Sequence, residues 1–193
     1  MAVDDREKWD RQHAQKDDDQ EPSPFLREIF HRDWWQIAPG RALDIATGKG
    51  RNALFLAEQG FDVVAIDISA VALDAARDRA NARSLRVSWL QEDLESLTLP
   101  DDFYDLILSF NYLQRSLIPQ IKTALKPGGY VIFDTYLVDQ QAIGHPKNPA
   151  YLLDHNELLE YFREFRVFYY REGKITERGL AAFRAGILAQ KQD

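Results

Sequence analysis

One run constrains this chain more than any other: Leu43-Asp44-Ile45-Ala46-Thr47-Gly48-Lys49-Gly50-Arg51-Asn52-Ala53. An apolar strand pattern ends there in a loop of small residues, and a helix pattern begins directly after it. Glycines at 48 and 50 let backbone N–H groups approach a ligand where a Cβ would intrude. Seventeen residues past Gly50, a second apolar run over 61–66 ends in Asp67. A carboxylate at the tip of a second strand suits the two hydroxyls of a ribose. Turn and acid together point to a site for a nucleoside-bearing cofactor.

The rest of the chain repeats the rhythm. Strand patterns at 41–46, 61–66, 85–90, 105–109 and 130–136 alternate with helix patterns. These helices run over 51–59, from a Ser69 cap to about Arg83, and over about 117–125. The turn signal Lys126-Pro127-Gly128-Gly129 separates the last helix from the fifth strand. Ser23-Pro24 opens an earlier helix, expected to reach about Gln36, with Phe25, Leu26, Ile29, Phe30 and Trp34 at helical spacing. Such alternation predicts an α/β fold, a parallel sheet with helices on both faces. The tail departs from it. After a loop over 138–153, Asp154-His155-Asn156-Glu157 reads as a capping box starting a helix to about Tyr161. Two strands follow, 165–170 and 181–188, with no helix between them, so they are expected to be antiparallel.

A length of 193 residues predicts one domain with a substantial core. The net charge of −7 is uneven, since residues 1–21 carry eight acids and four bases. That segment, 1–21, reads as a flexible acidic arm ahead of a single domain over 22–193. An acidic chain lacks the Lys and Arg that give phosphate-backbone affinity, which excludes nucleic acid as a partner. No apolar run reaches membrane-spanning length and no signal pattern opens the chain. With no cysteine there is no disulfide framework, thiolate zinc site or cysteine nucleophile. A soluble, cytoplasmic protein is the expectation.

Within the loop, residues 48–53 fit the dinucleotide fingerprint G-x-G-x-x-G/A, a weak signal alone. The same stretch fits Asp-x-Gly-x-Gly-x-Gly, the S-adenosylmethionine fingerprint of methyltransferases, with Ala46 and Thr47 in its third and fourth positions. Asp44 favours the second reading, because an acid at the strand end can hold the ammonium of a methionine moiety. Asp93, just after the third strand, can accept from an exocyclic amine while Leu94 and Ile68 cover the faces of an adenine. Ser109-Phe110-Asn111-Tyr112 follows the fourth strand, where ligands of open α/β sheets collect. His145 reads as a surface histidine. Trp34, Trp35, Tyr169 and Tyr170 read as core aromatics, with cation–π contact to a sulfonium as the other possibility.

In motif order the chain resembles the class I S-adenosylmethionine-dependent methyltransferases, and within them the tellurite-resistance-type group of small bacterial enzymes. The resemblance covers about residues 40–190. It rests on the 43–52 run, Asp67-Ile68-Ser69, Asp93-Leu94, Leu125-Lys126-Pro127-Gly128-Gly129 and Glu157-Leu158-Leu159. Trp9-Asp10 with Pro24-Phe25 is loosely similar to the segment that closes over the cofactor in such proteins. The resemblance implies a Rossmann-like seven-stranded sheet of order 3-2-1-4-5-7-6, with strand 7 antiparallel. It implies S-adenosylmethionine as cofactor, its methionine part near Asp44, Ala46, Thr47 and Gly48, its ribose on Asp67 and its adenine by Asp93. Gly50, Arg51, Asn52, Ile68, Leu94, Ser109 and Phe110 complete the expected cofactor set. Ala46 stands where the family usually has glycine, and Thr47 where cysteine is frequent. No Asn/Asp-Pro-Pro-Tyr tetrad follows the fourth strand, which speaks against methylation of nucleic-acid bases. The expected activity is methyl transfer to a small molecule with a chalcogen, thiol or oxygen nucleophile, with Asn111, Tyr112, Arg115 and Tyr136 on the acceptor side. The alternatives are an NAD(P)-dependent oxidoreductase and a non-catalytic S-adenosylmethionine-binding protein. No metal is expected.

Overall fold

The computed structural model describes residues 2–15, 20–33, 35–177 and 179–192, with side chains from residue 6 onward. Trp34 and the acidic run 17–19 lie outside the described residues. Seven strands form one sheet: β1 (Arg41–Ile45), β2 (Asp62–Asp67), β3 (Val87–Gln91), β4 (Tyr104–Phe110), β5 (Leu125–Tyr136), β6 (Arg166–Glu177) and β7 (Leu180–Gln190). Their order is β3-β2-β1-β4-β5-β7-β6. The first five are parallel, while β7 runs antiparallel to β5 and to β6. Fold class, strand order and the direction of β7 therefore agree with expectation. The helices are α1 (Ala2–Gln15), α2 (Pro24–Phe30), α3 (Arg51–Glu58), α4 (Ala70–Ala82), α5 (Ile118–Ala124) and α6 (Glu157–Tyr161).

β1 and β4 are near-continuous apolar runs because helices cover both sheet faces. The strand period of two deals alternate residues to opposite sides. Leu43, Ile45, Ile107, Val131 and Phe133 join one core with α5 and Phe162. Ala42, Leu106, Leu108 and Ile132 join the other, with Phe25, Leu26 and Ile29 of α2. Register sets the functional edge: Ile45 pairs with Ile66 and with Ser109, so β1, β2 and β4 end on one line. The strand order reverses between β1 and β4, opening a crevice at those carboxyl ends.

Three expectations change. The 1–21 segment, expected as a flexible arm, is helical over Ala2–Gln15. α2 stops at Phe30 and not near Gln36. The Trp35 indole N–H donates to the Ile29 carbonyl at 3.0 Å, and its ring stacks on Tyr169 at 6.0 Å. Burying that ring requires the chain to turn, and one more helical turn would carry it away. The 126–129 turn persists as a bulge inside β5, between Leu125 paired to Tyr104 and Tyr130 paired to Leu106. Ser69 caps α4 as expected, accepting from the Ala72 N–H at 3.1 Å.

Candidate active site

The β1–α3 loop is built from left-handed residues. Ala46, Gly48 and Gly50 have φ of 52°, 57° and 78°. The Thr47 N–H donates across to Ile66 of β2 at 2.9 Å, which bends the loop toward the end of that strand. There the Gly48 N–H donates to Asp67 Oδ2 at 2.7 Å, while Asp67 Oδ1 accepts from the Ser69 N–H at 2.9 Å. The two features that define the sequence signature are thus in direct contact. Each carboxylate oxygen keeps a lone pair in reserve, so Asp67 can still receive hydroxyls.

Asp44 is buried beside them and accepts from the Thr47 hydroxyl at 2.5 Å. Burial pushes its pKa up to about 7, the Thr47 hydrogen bond opposes the shift, and the charge of Asp67 adds to it. Burial also raises Asp67, against the N–H groups of Ser69 and Gly48 and the positive charge of His13. Two neighbouring carboxylates pushed toward the neutral form make a socket that a cationic ligand would relieve. Ammonium, sulfonium and ribose hydroxyls are the groups this donor set suits, so the residues fit S-adenosylmethionine.

Other expected positions divide. Asp93 Oδ1 is used by its own turn, accepting from Glu95 N–H at 2.9 Å, and Leu94 is buried while Ile68 is half-buried. Asn52 turns away, its Oδ1 accepting from the Ser23 N–H at 2.8 Å and tying α3 to the start of α2. Gly50 is a packing glycine. A Cβ there would stand 2.6 Å from Trp89 Cη2 and 2.9 Å from the Ala76 methyl. Arg51 is half-buried, and its charge lowers Asp44. Ser109 is buried with its hydroxyl on the Tyr112 carbonyl at 3.3 Å, and Phe110 is buried in the α2-side core.

Of the residues expected on the acceptor side, Tyr112 donates its hydroxyl to Gln114. Burial raises its pKa, helped by Glu95, Asp93 and Asp67, so the phenol stays protonated and cannot serve as a base near neutrality. Asn111 is exposed at the end of β4, and Tyr136 is half-buried at the end of β5 under the Arg184 guanidinium. Arg115 has a different task from the one expected. Its Nε and Nη2 grip Glu157 at 2.6 and 2.9 Å, and Nη2 also donates to the Leu152 carbonyl at 2.8 Å. It clamps the 150–157 segment. Trp35 and Tyr169 are core, His145 is exposed, and the Tyr170 hydroxyl donates to Glu172.

Sequence reasoning met Asp10 only through a loose resemblance to a segment that closes over the cofactor, and it missed His13 and Arg184. Asp10 of α1 accepts from the Ser69 hydroxyl at 2.5 Å and from the Val71 N–H at 3.3 Å, over the start of α4. His13 follows one turn later, with Cε1 3.4 Å from where a Cβ on Gly48 would stand. Asp10 and His13 at i, i+3 share a helix face, and only the helical reading of this segment could have shown it. A groove of about 420 Å³ along Arg77, Arg86 and Trp89 lies at the β3 edge, and its lining does not include Gly48 or Asp67. Arg184 is treated below.

A methyltransferase-domain family matches residues 42–129, a span that includes Asp44, Gly48, Asp67 and Asp93. TehB of Haemophilus influenzae is 27% identical over 143 residues, covering 70% of this chain and 49% of that protein. Its crystal structure superposes with a TM-score of 0.70 at 23% identity, over 86% of this chain and 66% of that one. Residues 42–129 thus match a methyltransferase domain, and the chain is similar to TehB in sequence and shares its fold. S-Adenosylmethionine is the cofactor of such domains. A demethylmenaquinone methyltransferase of Thermus thermophilus is 35% identical over 102 residues, 49% of this chain and 46% of that enzyme. The chain spans about half the length of the curated relatives it matches. Among the described residues of this methyltransferase domain, no helix is long and apolar enough to cross a membrane, and no cluster of acids and histidines could hold a metal.

Proposed function

We propose that this protein transfers the methyl group of S-adenosylmethionine to a small-molecule acceptor. The observation that carries the reading is the 2.7 Å contact between the Gly48 N–H and Asp67 beside buried Asp44. Asp67 would receive the ribose hydroxyls, Asp44 the ammonium, and Ile68 and Leu94 would enclose the adenine. When bound, the cofactor supplies a methyl already activated by its sulfonium. The chain then has to align the acceptor and exclude water. Asn111 and Tyr136 are the acceptor-side groups, and Tyr112 serves as a neutral hydrogen-bonding wall. A nucleophile already ionised, such as a chalcogenolate, thiolate or oxyanion, needs no base, in keeping with the protonated Tyr112.

Against a nicotinamide oxidoreductase stands the β6–β7 hairpin inserted as 5-7-6, which replaces the room such enzymes give to a substrate-binding unit. Thermal unfolding separates the two. At a hundredfold excess over Kd, S-adenosylmethionine or S-adenosylhomocysteine should stabilise the protein by about 2.7 kcal/mol, several degrees in Tm, while NAD and NADP leave it unmoved. The opposite ranking would sink the reading. Binding without turnover across a broad acceptor panel would leave only a cofactor-binding protein.

A further inference from the structure

Arg184 sits inside β7, ahead of the buried residues Ala185, Ile187, Leu188 and Ala189, and is itself only 5% exposed. Its Nε donates to Asp134 Oδ1 at 2.7 Å, its Nη2 donates to the same oxygen, and its guanidinium lies 4.4 Å from the centre of the Tyr136 ring. Asp134, on β5, is fully buried, and its Oδ2 accepts from Arg171 Nη2 at 3.0 Å. A buried ion pair is a poor way to hold two strands together, since apolar residues of like volume do so at least as well. What the pair does that apolar residues could not is orient a polar group at its outer end.

That group is Asn111. Arg184 Nη2 donates to Asn111 Oδ1 at 2.8 Å, and the Asn111 backbone N–H donates to the Asp134 carbonyl at 3.0 Å. The residue is exposed, takes a left-handed φ of 57°, and stands at the carboxyl end of β4. A guanidinium has donors and no acceptor, so the amide must turn its oxygen toward Arg184. The flipped amide would set N–H against N–H. The two Nδ2 hydrogens therefore face the open side, and among the described residues nothing accepts from them.

We propose that Arg184 is a positioning residue that locks Asn111 as a hydrogen-bond donor toward the methyl acceptor, and that this acceptor presents an oxygen with free lone pairs there. An amine awaiting methylation would need the reverse, a group accepting its N–H so that its lone pair points at the methyl carbon. One lone pair of the only acceptor atom on the Asn111 side chain is committed to Arg184, which turns that atom inward and leaves the two N–H donors as the outward face of the amide. Carboxylate, carbonyl and phenolate oxygens share the chemistry that two outward N–H groups recognise. This inference rests on the methyltransferase reading of the site.

The test uses side-chain amide signals of the 15N-labelled full chain with S-adenosylhomocysteine present. Asn111→Asp assigns the Asn111 pair by its disappearance and removes the donors without removing the partner of Arg184. Benzoate should shift the Asn111 amide pair saturably, and benzylamine, which offers donors on a ring of the same size, should not. Asn111→Asp should weaken benzoate at least tenfold, read from backbone signals of β4. Arg184→Lys, which keeps a charge for Asp134 but cannot fork to both partners, should lose the benzoate preference while S-adenosylhomocysteine affinity stays within twofold. Preference for benzylamine, no response to either probe, or an unchanged benzoate response in Asn111→Asp would overturn the proposal. Failure of S-adenosylhomocysteine to bind, with the benzoate response intact, would remove the cofactor reading and leave the role of Arg184 standing.

Discussion

Ala46 occupies a left-handed position, φ 52°, that L-residues enter at a cost of about 1–2 kcal/mol. Its following N–H is tied to β2, so the chain cannot relax out of it. The resemblance implies glycine at this position, and the left-handed backbone supplies a physical reason for it. Ala46→Gly should raise stability by up to about 1 kcal/mol, or roughly 2–4 °C, since strain relief outweighs the added freedom of the unfolded chain. Ala46→Val, β-branched at the same φ, should lower it by more than about 1 kcal/mol. Equal melting temperatures for the three forms would refute the strain. Asp44 gives a second expectation. Because burial holds its pKa near 7 in the free protein, stability falls as pH climbs from the ordinary carboxylate range to about 7 and is flat above it. An ammonium seated beside Asp44 favours the charged form, so binding expels a proton below pH 7 and affinity drops as pH falls further. Calorimetric titration of S-adenosylmethionine at pH 6.5 in two buffers of different ionisation heat should give different enthalpies, a difference that Asp44→Asn abolishes. Asp44 and Asp67 were legible because an acid inside an apolar run has few reasons to be there. Arg184 was not, since one arginine between a phenylalanine and an alanine looks like the outward face of an edge strand.

At the scale of elements, the alternation of patterns marked every strand and the antiparallel tail, because burial on both sheet faces writes itself into composition. What it could not mark is which distant side chain a glycine makes room for. Gly50 read as a site of ligand approach, yet the neighbour it accommodates is Trp89 from β3, with Ala76 of α4 beside it. That contact depends on β3 pairing with β2 and α4 crossing above, a tertiary fact absent from the local spacing. The end of α2 was misjudged for the same reason, as Trp35 is drawn into a stack with Tyr169 from the far end of the chain. Gly50→Ala should therefore cost at least about 2 kcal/mol, from the φ of 78° together with a 2.6 Å overlap on the indole. The double variant Gly50→Ala/Trp89→Phe should be less destabilised than the sum of the single changes, measured by denaturant unfolding. Additivity would mean that the glycine serves the loop alone.

Across the whole molecule, α1 joins parts that the sheet keeps separate. Asp10 holds the start of α4, His13 stands over Gly48 and beside Asp67, and Lys8 lies 5.7 Å from the ring centre of Tyr151, in the segment that Arg115 clamps through Leu152 and Glu157. The helix thus touches both the start of α4 beside Asp67 and the 150–157 segment, which makes it the candidate cover for the proposed cofactor site. A cover of this kind slows entry and exit alike, and it stabilises the bound state only through contacts made after closure. Removing residues 1–15 should speed S-adenosylhomocysteine association and should speed its dissociation more, by about tenfold, so that Kd rises. Asp10→Ala, which releases only the hold on Ser69 and Val71, should shift both rates in the same direction by a smaller factor. Stopped-flow fluorescence reads these rates through Trp9 in the Asp10→Ala protein and through Trp89 in the truncated one. Rates unchanged by both alterations would show that α1 rests on the crevice without gating it, and its influence on the site would then be limited to the positive charge of His13 near Asp67 and the Asp10 hold on Ser69.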